Sequence, residues 1–385
     1  MTEVWIDVPA LAKVRPHQTQ GVGADLAFAH PAITSVGAID RERGRVAVQV
    51  AAGVGTADLD GQVRRAVEAS LASFRLVPAT ETVWSHHASS DGGALARFVA
   101  AHVVELGPGQ YALRGAAAHL RTTLDARLRT LAIAAGAEPW HLPSVESTAD
   151  LLRMTGYFTS HPQHVTWGFH LPPHFDELHR FAREARDQSL AAPAPSQVQP
   201  TGFILEPFVC HNVYRALRGA RLDPAGQVIT ALGNCYRYEG HRFAPLERQW
   251  EFSMREAVLL GPSAQVEASR TRLIELTQAL VGELDVDATL EVATDPFFAA
   301  EATSLRTFQA MRSTKLELRL AIGGEARVAA ASFNLHGTCF TRPMDIRVGD
   351  TLADTACVGW GLERWMAAVV ARWGGRVDDW PAVLR

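Results

Sequence analysis

The segment Trp250–Leu260 (WEFSMREAVLL) reads as a strand, and alternation puts Trp250, Phe252, Met254, Glu256, Val258 and Leu260 on one face. Five of these six are apolar and one is Glu. A carboxylate on a buried face is costly unless it is paired, protonated or bound to a metal. Glu256 therefore needs a partner, and two kinds fit: an arginine in a structural ion pair, or a bound cation.

The preceding strand-like segment Asn234–Glu239 (NCYRYE) places Cys235, Arg237 and Glu239 on one face, so a fixed guanidinium stands beside a carboxylate. Such a pair can bind a phosphate and an amine together. The connection Gly240–Gln249 carries Arg242 and Arg248 and, at ten residues, is too long for a simple hairpin turn. It reads as a loop that covers a ligand. The planar guanidinium fork suits phosphate oxygens, and three close arginines in a net acidic chain call for an anionic ligand or acidic neighbours; solvated surface arginines are the alternative.

The elements that must position these groups are partly legible. Leu120, Leu124, Leu128 and Leu131 recur at helical spacing within 116–135, Gly136 stops the helix, and Pro139–Pro143 (PWHLP) reads as an extended strand ending at a proline. A second helix is expected over Asp176–Ser189, and Ala191–Pro200 (AAPAPSQVQP) as an exposed loop. From Phe203 onward the pattern is strand-dominated and closes with an apolar helix from about Gly361 to Trp373. Helical material followed by consecutive strands argues an α+β fold with a mostly antiparallel sheet. Residues 1–75 read as a small unit with a strand at Arg45–Val50 and a helix over Gly61–Phe74, and Thr80–Ala94 as a connector. The adjacent His86 and His87 in that connector are either metal ligands or, the blander reading, loop residues.

The chain has 385 residues, and 37 basic against 41 acidic residues give a net charge of −4, which lacks the basic excess of a phosphate-neutralising nucleic-acid binder. Only Lys13 and Lys315 are lysines. Lys315 alternates with Leu316, Leu318 and Leu320 in Thr314–Ile322, so it faces away from the apolar side with Glu317 and Arg319, either neutralising a ligand or solvated. Four cysteines without a CxxC pair make no disulfide framework and point to a reducing compartment. The N-terminal segment lacks a signal-peptide pattern and no apolar run is long enough for a span, so a cytoplasmic location without membrane contact is expected.

These residues also carry a resemblance. Arg237-x-Glu239, a loop, then Arg248-x-x-x-Phe252-x-x-x-Glu256 is similar to motif 2 of class II aminoacyl-tRNA synthetases, and Gly359-Trp360-Gly361-Leu362-Glu363-Arg364 to motif 3. The words around Cys210 (EPFVCHNVY), Asp295–Phe298 (DPFF), Gly156–His170, Ser332–His336 (SFNLH) and Asp354–Trp365 (DTACVGWGLERW) resemble the amino acid:[carrier protein] ligases, truncated relatives of seryl-tRNA synthetase. The resemblance runs from about Arg114 to Pro381, with the helix, strand and Pro143 as class II motif 1.

The resemblance implies a class II aminoacyl-tRNA synthetase-like antiparallel sheet flanked by helices in a catalytic domain at 79–385, with a small N-terminal α/β appendage of unknown role at 1–78. It implies a Zn2+ site on Cys210, Glu256 and Cys357, residues 46 and 101 positions apart, with an open position for the substrate's amino group. Cys235 and Cys339 stay as core or strand cysteines. For ATP with Mg2+, it puts Arg237 on the α-phosphate and substrate carboxylate, Glu239 and the loop on the adenine, Phe252 beneath the base, and Arg248 and Arg364 on the β- and γ-phosphates. Lys315, Asn334 and His336 are candidate substrate contacts. The chain departs from the pattern at Val328, where seryl-tRNA synthetases carry the acid that holds the ATP magnesium.

The implied activity is formation of an aminoacyl-adenylate from a small amino acid such as glycine or alanine, then transfer to the phosphopantetheine thiol of an acyl carrier protein. A class II tRNA synthetase or an aminoacyl transferase is the alternative, although the charge and the lack of a coiled-coil arm disfavour tRNA. A non-catalytic paralogue is the second alternative, motivated by Val328. Class II folds imply a homodimer, with Leu120, Leu124, Leu128 and Leu131 either at its seam or in an intradomain core.

Overall fold

The computed structural model describes residues 1–15, 19–74, 81–154, 157–187, 197–240, 243–293 and 314–385. Segment 295–298, Gly156, Arg242 and most of 191–200 lie outside the described residues.

The chain begins with a small unit. Strands β1 (Thr2–Asp7), β2 (Ile33–Asp40) and β3 (Arg45–Val50) form an antiparallel sheet in the order β1-β3-β2. Helices α1 (Thr19–Leu26) and α2 (Leu59–Phe74) pack with it. Ile6, Val46 and Val48 from the strands and Val22, Leu26, Val63 and Val67 from the helices bury one another in a core of their own.

The remainder is built on an eight-stranded sheet. Its strands are β4 (Thr82–His86), β7 (Glu138–Pro139), β12 (Gln227–Tyr236), β13 (Glu251–Gly261), β14 (Ala288–Val292), β15 (Lys315–Gly323), β16 (Ala326–Gly337) and β19 (Asp354–Gly361), in the order β4-β14-β15-β16-β19-β13-β12-β7. All neighbours run antiparallel except β7, which pairs parallel with β12. Smaller pieces surround it: a hairpin of β5 (Val103–Gly107) and β6 (Gln110–Leu113), a sheet of β8 (Val145–Ser147), β9 (Trp167–His170) and β10 (Gln199–Leu205), and one of β11 (Arg221–Leu222), β17 (Arg347–Val348) and β18 (Thr351–Leu352). The helices are α3 (Gly92–His102), α4 (Ala116–Ala134), α5 (Thr148–Met154), α6 (Tyr157–Ser160), α7 (Phe175–Arg186), α8 (Cys210–Ala216), α9 (Ser263–Leu284) and a C-terminal helix, Leu362–Trp373.

Alternation divides the large sheet into two faces. Leu316, Leu318 and Leu320 of β15, Phe333 of β16, Val358 and Trp360 of β19, and Ala257 and Leu259 of β13 join the main core beneath α4, α9 and the C-terminal helix. The intervening residues, including Lys315, Glu317, Ser332, Asn334, Cys357, Gly359 and Glu256, face the other way. That second face carries the site.

Several sequence expectations change here. Leu120, Leu124, Leu128 and Leu131 are buried in the chain's own core, which settles their spacing as intradomain packing rather than a dimer seam. Leu124→Ala is expected to destabilise the fold by about 2–5 kcal/mol in urea unfolding, because neighbours held by three elements refill the cavity only in part. A loss below about 1 kcal/mol would show that the site collapses freely.

The strand-dominated stretch after Phe203 contains a 22-residue helix, α9, that links β13 to the far side of the sheet. Its buried residues, Val266, Leu273, Thr277, Leu280, Val281 and Leu284, form a narrow stripe among polar neighbours, so no apolar run announces it. The connector contains an edge strand, β4, and His86 Nε2 lies 3.1 Å from Asp285 Oδ1, beside the Arg372 guanidinium that shares this carboxylate. His86 is thus a strand residue paired with Asp285, while His87 lies 3.3 Å from Ser85 Oγ. Helix α7 starts one residue before the expected Asp176. Among the described residues, no helix is long and apolar enough to cross a membrane.

Candidate functional site

Three elements converge on the side chains expected to hold a metal. Cys210 opens α8, Glu256 lies midway along β13, and Cys357 lies in β19, which pairs with β13 so that Val258 faces Cys357 and Gly359 faces Glu256. One ligand atom from each of Cys210, Glu256 and Cys357 lies within 4.8 Å of the others, and all three residues are buried. Gly359 keeps the floor open: a Cβ there would come within 2.9 Å of Met254 Sδ and 3.4 Å of Glu256 Oε1.

The chemistry of this donor set suits a soft, tetrahedral cation such as zinc. Burial pushes the Glu256 carboxyl well up, the neighbouring Cys357 adds to this, and its Oε2 has no hydrogen-bond partner. Among the described residues, no arginine forms an ion pair with Glu256, so the structural pairing is not seen there. The Cys210 thiol donates toward Cys357, which raises Cys210 and holds Cys357 well below an ordinary thiol. His336 Nε2 lies 3.3 Å from Cys357 Sγ, and Asn334 Nδ2 donates to the same sulfur at 3.5 Å. Asn334 and His336 therefore border the three-residue cluster itself, closer to it than their sequence reading as simple substrate contacts implied.

Beside this cluster lies a collection of cations. Arg237 follows β12, its backbone N donates to Trp250 O at 2.9 Å, and its Nε donates to Pro207 O at 3.1 Å. Its guanidinium sits 4.6 Å from the Phe208 ring centroid and 5.2 Å from that of Phe252. Arg248 pairs with Glu239 across the loop. Arg364, in the first turn of the C-terminal helix, donates from Nε to Glu247 O at 2.8 Å and from Nη1 to Ala329 O at 2.9 Å. Burial, and then the Arg364 charge, lower Arg248 to about 10, and Arg237 in turn presses on the buried Arg364. Mutual repulsion among three guanidiniums is relieved by a polyanion, so the cluster is matched to phosphates. Strand β12 ends at Tyr236, so the expected strand over 234–239 is shorter, and Gly240 turns the chain with φ +74°.

Lys315 is buried, with Nζ 3.1 Å from Glu317 Oε1, which rules out the solvated reading. Val328 pairs with Leu320 and packs against the main core, so its side chain is turned from the site; the acid on the site face of the adjacent strand is Glu317, between Lys315 and Arg319.

Sequence reasoning missed a polar wall around α8. His211 Nδ1 lies 3.1 Å from the wholly buried Glu146 carboxylate, and Tyr157, His161 and His164 stack nearby, Tyr157 Oη 3.3 Å from His164 Nδ1. Burial, then the charges of Arg237, His161 and Arg248, hold His164 neutral, down at about 2. Glu206 is also buried, and desolvation with the Glu256 and Glu146 charges pushes it up to about 10. A Glu inside the apolar run FILEPFV was the available signal for Glu206.

This is a class II aminoacyl-tRNA synthetase fold: the chain superposes on the Methanopyrus kandleri seryl-tRNA synthetase crystallised with Aquifex aeolicus tRNASec, at a TM-score of 0.70 and 21% identity over 99% of this chain and 76% of that one. Its homologues are more particular and include amino acid–[acyl-carrier-protein] ligases and type-2 seryl-tRNA ligases. It is 32% identical over 193 residues, 49% of this chain and 57% of the relative, to amino acid–[acyl-carrier-protein] ligase 2 of Bradyrhizobium diazoefficiens. It is 30% identical over 192 residues, 48% of this chain and 37% of the relative, to the type-2 serine–tRNA ligase of Methanocaldococcus jannaschii. These matches span less than two thirds of either relative's length. No family model matches the chain.

Proposed function

We propose that the protein is an ATP-dependent amino acid ligase that delivers its aminoacyl group to the phosphopantetheine thiol of an acyl carrier protein, with residues 1–78 as an appendage to a catalytic domain at 79–385. The observation that carries this reading is the juxtaposition of the Cys210, Glu256 and Cys357 cluster with the cations Arg237, Arg248 and Arg364 on one face of the sheet. Carrier-protein ligases and serine–tRNA ligases both occur among the relatives, so the choice of acceptor over tRNA rests on the net charge of −4, which lacks a phosphate-neutralising excess.

Cys210, Glu256 and Cys357 would hold zinc, which would supply a Lewis-acid contact for the substrate's amino group. Arg237 then holds the amino acid carboxylate against the α-phosphate. A carboxylate oxygen attacks the α-phosphorus as the bond to pyrophosphate breaks, and the guanidinium stabilises the added charge. Arg248 and Arg364 hold the leaving β- and γ-phosphates. For Arg248 this requires sharing its charge with Glu239, which lies where the loop covers the adenine. Phe252 provides the surface beneath the base, and ATP must displace the Arg237 guanidinium from part of that ring. Lys315, through Glu317, and Asn334 border the substrate. In the second half-reaction the carrier thiol sulfur attacks the aminoacyl carbonyl carbon, the bond to AMP breaks with its electron pair on AMP, and the thiol proton leaves to solvent. Positioning and charge stabilisation carry both steps.

The test is amino-acid-dependent pyrophosphate exchange across the twenty amino acids with ATP and Mg2+, together with elemental zinc analysis and transfer of labelled amino acid to a phosphopantetheinylated carrier protein or to tRNA. The expected result is exchange with one or a few small amino acids and label retained on the carrier protein. No exchange in zinc-loaded protein overturns the catalytic reading, and label on tRNA alone overturns the acceptor.

A further inference from the structure

The short segment between β10 and α8 touches both halves of the site. At its end stands Cys210, which opens α8 and belongs to the cluster with Glu256 and Cys357. Before that, its residues hold the end of β12. Tyr236 N donates to Glu206 O at 2.8 Å, Arg237 Nε donates to Pro207 O at 3.1 Å, and the Arg237 guanidinium lies over the Phe208 ring, 4.6 Å from its centroid. Residues 206, 207 and 208 thus grip residues 236 and 237 in succession, and Phe208 stands two positions before Cys210.

Phe208 is itself held. It is half-buried, its ring meets Tyr157 edge-on at 5.1 Å between centroids, and the His211 ring lies 5.0 Å away. The side chain packs both against the apolar group around Cys210 and Tyr214 and against the one around Leu151, Tyr157 and Ile204. Packing of this kind fixes the plane of the ring, and the negative face of the ring in turn favours a cation over it. With Nε donating to Pro207 O, the N–H groups on Nη1 and Nη2 are the ones that can turn to ligand oxygens. The other ring near the guanidinium, Phe252 at 5.2 Å, is the one assigned above to the adenine, so Phe208 is the aromatic contact that remains once ATP is bound.

We propose that Phe208 is a positioning residue, which holds the Arg237 guanidinium at a set place relative to the Cys210, Glu256 and Cys357 cluster so that the carboxylate and the amino group of one amino acid are met together. This inference rests on the amino acid ligase reading and adds to it a residue outside the zinc and ATP sets.

The test compares Phe208→Leu, which removes the aromatic face and keeps an apolar side chain, with Phe208→Tyr, which keeps the face. In pyrophosphate exchange, the leucine variant is expected to lower kcat about 10- to 30-fold, with KM for ATP within about threefold and zinc content matching wild type. The tyrosine variant should recover to within about threefold of wild type. The same change is then made beside Arg237→Ala, where the ring has no guanidinium to hold: Phe208→Leu should lower the residual kcat by less than about twofold, whereas a ring that only supports the fold would cost as much in both backgrounds. Phe208→Met serves in both arms if the leucine variant fails to fold. A folded, zinc-loaded Leu or Met variant with wild-type kcat, a Tyr variant as impaired as Leu, or an undiminished loss beside Arg237→Ala overturns the assignment while leaving the ligase reading in place. Wild-type protein inactive with every amino acid overturns the ligase reading and this assignment with it, which separates the two failures.

Discussion

Alanine at any one of Cys210, Glu256 or Cys357 is expected to abolish zinc retention and amino acid activation together. Two thiols and a carboxylate drawn from α8, β13 and β19 meet within 4.8 Å, and each comes from a different element. Removing one donor from a three-residue set takes away a large part of a binding free energy of about 10–16 kcal/mol for structural zinc sites. Elemental analysis after dialysis against a chelator should fall from about one zinc per chain to below about 0.2, and pyrophosphate exchange should drop by at least about 100-fold. Glu256→Ala separates the contributions, since it removes the buried charge while both thiols remain; the fold should hold, because an unpaired buried carboxylate is itself destabilising. Full zinc occupancy in all three variants would refute the site.

The second large effect is expected at Arg237. Arg237→Ala should lower kcat for exchange by about 100- to 1,000-fold with zinc content unchanged, because the guanidinium meets charge that develops in the transition state. Arg237→Lys should recover little of this, since a point charge cannot span a carboxylate and a phosphate as a planar fork does. Its guanidinium rests over Phe208 and Phe252, and the alanine variant, which loses the α-phosphate contact, should also raise KM for ATP. An alanine variant that keeps more than about a tenth of wild-type kcat would remove Arg237 from the chemistry.

How much of this could be read before the fold was known differs from residue to residue. Glu256 was visible because one charge interrupts a strict apolar alternation, which is a local signal. Arg237 and Arg248 were visible as residue types with a purpose, but the carboxylate that meets Arg248 was not, because the pairing with Glu239 depends on how the loop folds back through the Ala244 and Arg248 bridge. Lys315 could be placed on the correct face of its strand, yet its burial against Glu317 follows from the strands that flank β15. Helix α9 and edge strand β4 were missed because a narrow apolar stripe and a five-residue strand leave little pattern.

The sequence by itself determined the alternating strands, the α4 leucine stripe, the arginine-rich loop and, through motif resemblance, which distant cysteines belong with Glu256. Only the tertiary structure decided that Cys210, Glu256 and Cys357 meet, that the α4 leucines fill the chain's own core, and that the Glu206 carboxyl is buried. Alternation and helical period are properties of neighbouring residues, whereas convergence depends on the order β16-β19-β13-β12, which sets residues far apart in the chain one strand spacing from each other.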